Sequence, residues 1–290
     1  MLSSLLLSVL GVGIKLNAAK ELVQVVGRRK ELKANLLLLQ SRLGDESKNA
    51  WIDNATYDMK LRQDRIVEME LASSLSYSSM ECEAIDIGTA MFAAFESTGS
   101  SEGVKQMEHS AAMDRVETKV DRRSGHLLAR ATAEVCASAQ EIAAHALTYC
   151  SSRFGQHTSA LDPNIVHAES ITVHGCHTVT FFRFKAPGMS DRTFLNSIVA
   201  KKMAAEPPQY LISMVPIPNH AEIDPKKEAR AVRGDAYRSF RCTEVMPGRT
   251  KMEYVCTLDL RGLVPQLVTD TVAIPAQCSG AHPRTDAAML

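Results

Sequence analysis

The chain has 290 residues, 45% apolar and 23% charged, which suits one sizeable soluble domain plus an accessory segment. Its 33 basic and 33 acidic residues cancel, which excludes a global electrostatic pull toward nucleic acid or anionic membrane. Seven cysteines, at 82, 136, 150, 176, 242, 256 and 278, make no CxxC pair; this excludes a thiolate zinc motif and a legible disulfide framework, and reduced cysteines are expected.

Residues 1–95 are expected to be a helical, coiled-coil-like N-terminal segment. Leu2 to Ile14 is apolar apart from serines and glycines. At about 13 residues the run is short for a bilayer span, and no Lys or Arg precedes it as in a signal peptide. A targeting or surface anchor, a buried or partner-facing helix, and an irregular segment from a displaced start all remain open. Leu22, Val25, Leu32, Leu36, Leu39 and Leu43 then fall at a/d spacing, with Arg29 in one a position. The seam breaks at Gly44-Asp45 and resumes more weakly through Ile52, Ala55, Met59, Ile66 and Met69, with Arg62 on it. Residues 18–73 are thus expected to self-associate, to dock a helical partner, or to fold as a hairpin within the chain. Arg28-Arg29-Lys30 with Lys33 stands before the leucines, as a basic region stands before a zipper. The basic run is too short for many phosphate contacts, so nucleic acid is not an expected partner.

Residues 96–112 gather Gly and Ser between periodic segments and read as a linker. Beyond them the pattern changes. Val116–Val120 and Leu127–Val135 read as a hairpin turning at Asp121–Gly125. Ser138 and Glu141 form a capping box, opening a helix faced by Ile142, Ala146 and Cys150. Ile165–Val173 and His177–Lys185 read as extended, joined at His174-Gly175-Cys176. A helix is expected from Ser190, lined by Phe194, Ile198 and Met203 and ended by Pro207-Pro208. Tyr210–Ile217, Ala236–Met246 and Met252–Leu260 read as strands, the last two joined at Pro247–Thr250. A final helix is expected over Gly262–Ile274, with Pro265 in its first turn, and residues 276–290 as a loose tail.

Consecutive strands are joined mostly by turns rather than crossover helices. The fold class is therefore α+β with an antiparallel sheet, not a parallel nucleotide-binding one. Met252, Tyr254, Cys256, Leu258 and Leu260 alternate with Glu253, Thr257 and Asp259. Ala129, Ala131 and Ala133 share one face of an earlier strand. Such small side chains admit a close helix or leave space.

Four stretches carry a resemblance to a known family. They are Ala133–His145, the strand running into the capped helix; Ser190-Asp-Arg-Thr-Phe194, ahead of Lys201-Lys202; Ala231–Tyr237; and Gly248–Tyr254 continuing to Asp259-Leu-Arg-Gly-Leu-Val-Pro265. In this order, over residues 110–275, they resemble the START (steroidogenic acute regulatory protein-related lipid transfer) domain. The family's first strand and N-terminal helix are less clear, and segment 85–122 is where they would lie. Residues 28–75 also resemble the zipper-like segment before START-like domains in oomycete proteins, though with a shorter basic region.

The resemblance implies a helix-grip fold: a curved antiparallel sheet packed on a long C-terminal helix, preceded here by the coiled-coil segment. It implies a non-enzymatic chain that binds a sterol, phospholipid or other lipid in an internal apolar cavity, for transfer or sensing, touching membranes transiently. The alternative is a regulatory or interaction module with a vestigial cavity, or a zipper-type transcription regulator with a ligand-sensing domain. A cytoplasmic location, peripheral at membranes, is expected, with the nucleus as the alternative.

Candidate cavity residues at inward strand positions are Ala129 (or Leu128), Phe182, Phe184, Ile212, Met214, Phe240, Cys242, Tyr254, Cys256 and Leu258, with Leu267 from the last helix. Arg183 leads the polar candidates, followed by Arg130, Glu134, Arg241 and Glu244. Ordinary core is the competing reading for each. No GxSxG, HExxH, GxGxxG or phosphate loop occurs, so no catalytic residue and no cofactor is expected. His126, His174 and His177 sit at strand and turn edges without Cys or carboxylate at ligand spacing, so no metal site is expected.

Overall fold

The structure, a computed structural model, describes residues 64–70, 76–96, 103–107, 114–120, 125–149, 165–185 and 190–261. The leucine seam up to Met59, the final helix with Leu267, and the tail lie outside the described residues.

One sheet dominates. Its strands are β1 (Lys105–Gln106), β2 (Arg115–Val120), β3 (Leu127–Val135), β4 (Ile165–His174), β5 (His177–Phe184), β6 (Arg192–Ala204), β7 (Gln209–Pro216), β8 (Val232–Arg233), β9 (Asp235–Met246) and β10 (Arg249–Asp259). The spatial order is β1-β2-β3-β10-β9-β7-β6-β5-β4, and β8 pairs with β6 off this path. Every pairing is antiparallel except β6–β8. Among the described residues no helix is long and apolar enough to cross a membrane.

The expected hairpins form. The β9–β10 turn holds Gly248 at φ 72°, a left-handed conformation that side chains disfavour. One expectation fails: the segment from Ser190 is β6, not a helix. Phe194 and Ile198 are four apart, a spacing that suits a helix but equally the two-residue period of a strand. Leu195, Ser197 and Val199 fill the opposite face, and both faces are buried along most of the strand.

Helix α1 (Ser79–Glu96) and helix α2 (Ala139–Tyr149) lie on opposite faces of the sheet. Each begins with the same device. The Ser138 amide and hydroxyl donate to Glu141 (both 2.8 Å), and the Glu141 amide donates back to Ser138 Oγ (3.2 Å). Ser78 and Glu81 repeat the arrangement for α1, satisfying amides that a helix start leaves bare.

On the outer face, Ala84, Ile85, Met91, Phe92 and Phe95 of α1 pack on Leu128, Val199, Leu211, Val215 and Val255. Gly88 sits against the Ser213 and Ser239 hydroxyls, so the helix backbone approaches the sheet closely. Charges clamp the contact. The Arg241 guanidinium lies 4.6 Å from the Phe92 ring centre and the Arg130 guanidinium 4.8 Å from that of Phe95. Lys119 Nζ donates to the Ala94 carbonyl (2.8 Å). This helix precedes the expected linker, yet it packs on the sheet, and β1 arises inside the expected linker span.

On the inner face, α2 and residues 64–70 cover Ile198, Ala200, Tyr210, Ile212, Met214, Cys242 and Met252. Ile66 and Met69, two of the expected seam residues, pack into this cluster of the same chain.

Candidate functional site

The inner face has a second part that α2 does not cover. Ala129, Ala131, Ala133, Phe184, Phe194, Ala236, Tyr254, Cys256 and Leu258 form a separate buried cluster there, with Phe240 packed against it. Strand alternation puts them together: Ala129 pairs with Cys256 and Ala131 with Tyr254, and Tyr254 pairs onward with Phe240. The Phe184 and Phe194 rings stack at 5.7 Å, and Phe240 and Tyr254 meet at 4.7 Å. The three alanines oppose this aromatic wall with almost no side-chain volume.

Polar atoms interrupt the same face. Thr180 pairs directly with Asn196, which pairs with Pro216. Arg238 pairs with Met214, one pleat along. Thr180 and Asn196 are 0% and 2% exposed. Thr180 Oγ1, Asn196 Oδ1 and Arg238 Nε are buried with no hydrogen-bond partner among the described residues. An orphaned buried polar group costs about 1–3 kcal/mol, so three on one face are an arrangement that a ligand's own polar atoms would relieve.

The expected cavity residues divide. Ala129, Phe184, Phe240, Tyr254, Cys256 and Leu258 belong to the part of the inner face that α2 does not cover. Phe182 shares that side, paired with Phe194. Ile212, Met214 and Cys242 lie on the same face but in the cluster around α2, where they act as core. Burial pushes the Cys242 thiol up to about 12.

The polar candidates are placed elsewhere. Arg183 cannot share a face with both Phe182 and Phe184 in a two-residue period. It points to the outer side, bonded to Asp191 (3.0 Å) and the Lys227 carbonyl (2.8 Å). Arg130 pairs with Glu117 and Arg241 with Glu253, also on the outer side. Glu134 pairs with Arg249 near the surface. Glu244 is on the inner side, but its carboxylate accepts from the Ala139 and Gly248 amides (3.3 and 3.2 Å), bracing the start of α2 and the β9–β10 turn. Sequence reading passed over Thr180, Asn196 and Arg238. Their one signal was polar residues in phase with apolar inward neighbours.

The Ser190–Phe194 stretch has a visible task. Buried Arg192 donates to the Leu260 carbonyl (2.8 Å), the Ser190 carbonyl (2.5 Å) and the Arg261 carbonyl (3.3 Å). It thus ties the start of β6 to the chain where it leaves β10. Burial lowers its pKa from the ordinary guanidinium value.

The sequence matches no protein-family model and no curated protein. Solved structures do match. Human StAR-related lipid transfer protein 5 superposes with a TM-score of 0.51 at 18% identity, over 70% of this chain and 93% of that one. Human STARD10 gives 0.46 at 15%, over 71% and 81%. A STAR-related lipid transfer protein from Xanthomonas axonopodis gives 0.45 at 12%, over 61% and 94%. Together with the strand order, helices on both faces and the linked ends of β6 and β10, the first of these establishes the architecture: this chain has a START-like fold.

Proposed function

We propose that the chain binds a lipid non-enzymatically on the inner face of the sheet, to transfer or to sense it. The observation that carries this is the pairing of an apolar wall, Ala129 to Ala133 against Tyr254, Cys256 and Leu258, with orphaned polar atoms at Thr180, Asn196 and Arg238. A ligand site needs a large apolar lining with a few polar groups to set orientation. Arg238 Nε donates and Asn196 Oδ1 accepts, so a hydroxyl-bearing or otherwise mixed donor–acceptor head suits them better than a bare hydrocarbon end. The fold it shares with a protein named for lipid transfer supports the same reading. In this proposal a helix-grip segment after β10 closes over the inner face, and the part of the expected 18–73 segment before residue 64 docks the chain to a copy of itself or a helical partner. The protein works in the cytoplasm, meeting membranes transiently.

Native mass spectrometry of the gently purified full chain tests it. A stoichiometric adduct that extraction identifies as a lipid is the expected result. A chain that carries none, and takes up none from vesicles of mixed phospholipid and sterol, overturns the proposal and leaves an interaction module with a filled interior.

A further inference from the structure

We propose that Glu81, His174 and His177 form a binding site for a divalent transition metal of the zinc class. This site is separate from the inner face and does not depend on lipid binding.

Three elements converge there. Glu81 comes from the first turn of α1, His174 from the end of β4 and His177 from the start of β5. Glu81 Oε1, His174 Nε2 and His177 Nδ1 lie within 4.8 Å of one another. Glu81 Oε1 is 2.5 Å from His174 Nε2 and 2.8 Å from His177 Nδ1. Sequence spacing suggested no carboxylate beside these histidines. Folding brings one from 93 positions away in sequence.

The supporting contacts suit ligation. Glu81 Oε2 is engaged by the Ser78 amide and hydroxyl (2.7 and 2.8 Å), which holds the carboxylate in place and leaves Oε1 as a single donor. His177 Nε2 meets buried Ser197 Oγ at 2.8 Å. With Nε2 protonated and donating to that hydroxyl, Nδ1 keeps its lone pair for a metal, as imidazole ligands do when their other nitrogen is held by a hydrogen bond. His177 is 2% exposed, and its Nδ1 stands 2.8 Å from Glu81 Oε1.

Two imidazoles and one carboxylate are the donors zinc takes in open sites, with a water in the fourth position. Calcium and magnesium prefer oxygen-only sets. Tetrahedral coordination at about 2.0–2.1 Å spaces ligand atoms roughly 3.3 Å apart, so the three must spread slightly from hydrogen-bonding distance. His174 carries the main cost. Its Nδ1 accepts from the Cys176 amide (3.1 Å), which puts the ring proton on Nε2 and toward Glu81. Ligation through Nε2 moves that proton to Nδ1 and breaks the turn bond. The site therefore binds more weakly than a closed structural zinc centre.

The test uses the full chain, stripped with chelator and dialysed, titrated with Zn²⁺ by calorimetry and with Co²⁺ by absorption. One saturable zinc per chain is expected, with cobalt d–d bands but no thiolate charge-transfer band. His174→Gln and Glu81→Gln should each weaken binding at least about tenfold, the loss seen when even a supporting residue is removed. Both are chosen to fold: His174 is partly exposed, and glutamine can still serve the Ser78 cap. Absence of saturable zinc binding, binding that neither variant weakens, or a cobalt spectrum dominated by thiolate would each overturn the site.

Discussion

Gly88→Ala puts two physical effects in opposition, and the structure says which wins. Inside an exposed helix, replacing Gly by Ala stabilises by roughly 1 kcal/mol. At Gly88 an added Cβ would stand 2.6 Å from Ser213 Oγ, 2.8 Å from Ser213 Cβ and 2.8 Å from Ser239 Oγ. Both serines are fully buried, and their hydroxyls bond to each other. The Ser213 Cβ is anchored to a central strand and cannot swing aside, so α1 must lift. Overpacking of this kind costs about 1–3 kcal/mol, here toward the upper end because two strands resist. The net loss is about 1–2 kcal/mol. With a urea slope near 3 kcal/mol/M, the midpoint should fall by about 0.5 M in a circular-dichroism titration. Ser213→Gly removes two of the three contacts, so the double variant should lose less than the sum of the singles. A midpoint that rises for Gly88→Ala would refute the claim that α1 is seated on the sheet through this glycine.

Further outcomes follow from other sites. Glu117→Ala strips the partner from half-buried Arg130, now held at 2.7 Å; a stability loss of about 3 kcal/mol is expected from denaturant titration, and a loss under about 1 would mean that the pair is solvated. Alkylation of the native chain at pH 8, read by peptide mass spectrometry, should modify exposed Cys82 and Cys136 and spare Cys242. Burial raises the Cys242 pKa to about 12, so its reactive thiolate is scarce until the pH nears that value, and equal labelling of all three contradicts the buried placement. Arg238→Leu keeps the side-chain stem and removes the donors. Extracted lipid should shift toward species lacking a polar head or disappear, and an unchanged lipid profile refutes a head-binding role for Arg238.

The strands were legible where polar residues mark one face: Met252, Tyr254, Cys256 and Leu258 alternate with Glu253, Thr257 and Asp259, although Val255 is buried under α1. β6 was not, because it is buried on both faces and its apolar residues match either period. Half of the inner wall was legible for the same reason as the strands. Arg183 was misplaced because a charge beside two phenylalanines invites a cavity reading, although the two-residue period excludes it. The pairing of Glu81 with His174 and His177 was illegible in principle, since only the docking of α1 onto the sheet creates it. The Ser78–Glu81 capping box, by contrast, stood in the sequence in the same form as Ser138–Glu141.

The position of β10 bears on how the chain is made. The last strand among the described residues, β10, is the one inserted between β3 and β9. Until it leaves the ribosome, the β2–β3 hairpin has no neighbour on its inner edge, and the run from β4 to β9 ends in an unpaired strand. The sheet therefore closes after synthesis of the domain rather than during it, with two open edges waiting in the interval. Contacts between residues as far apart as Ala129 and Cys256 make that closing step slow. A chain stopped before Arg249 would expose both edges permanently, and aggregation rather than partial function is its expected fate.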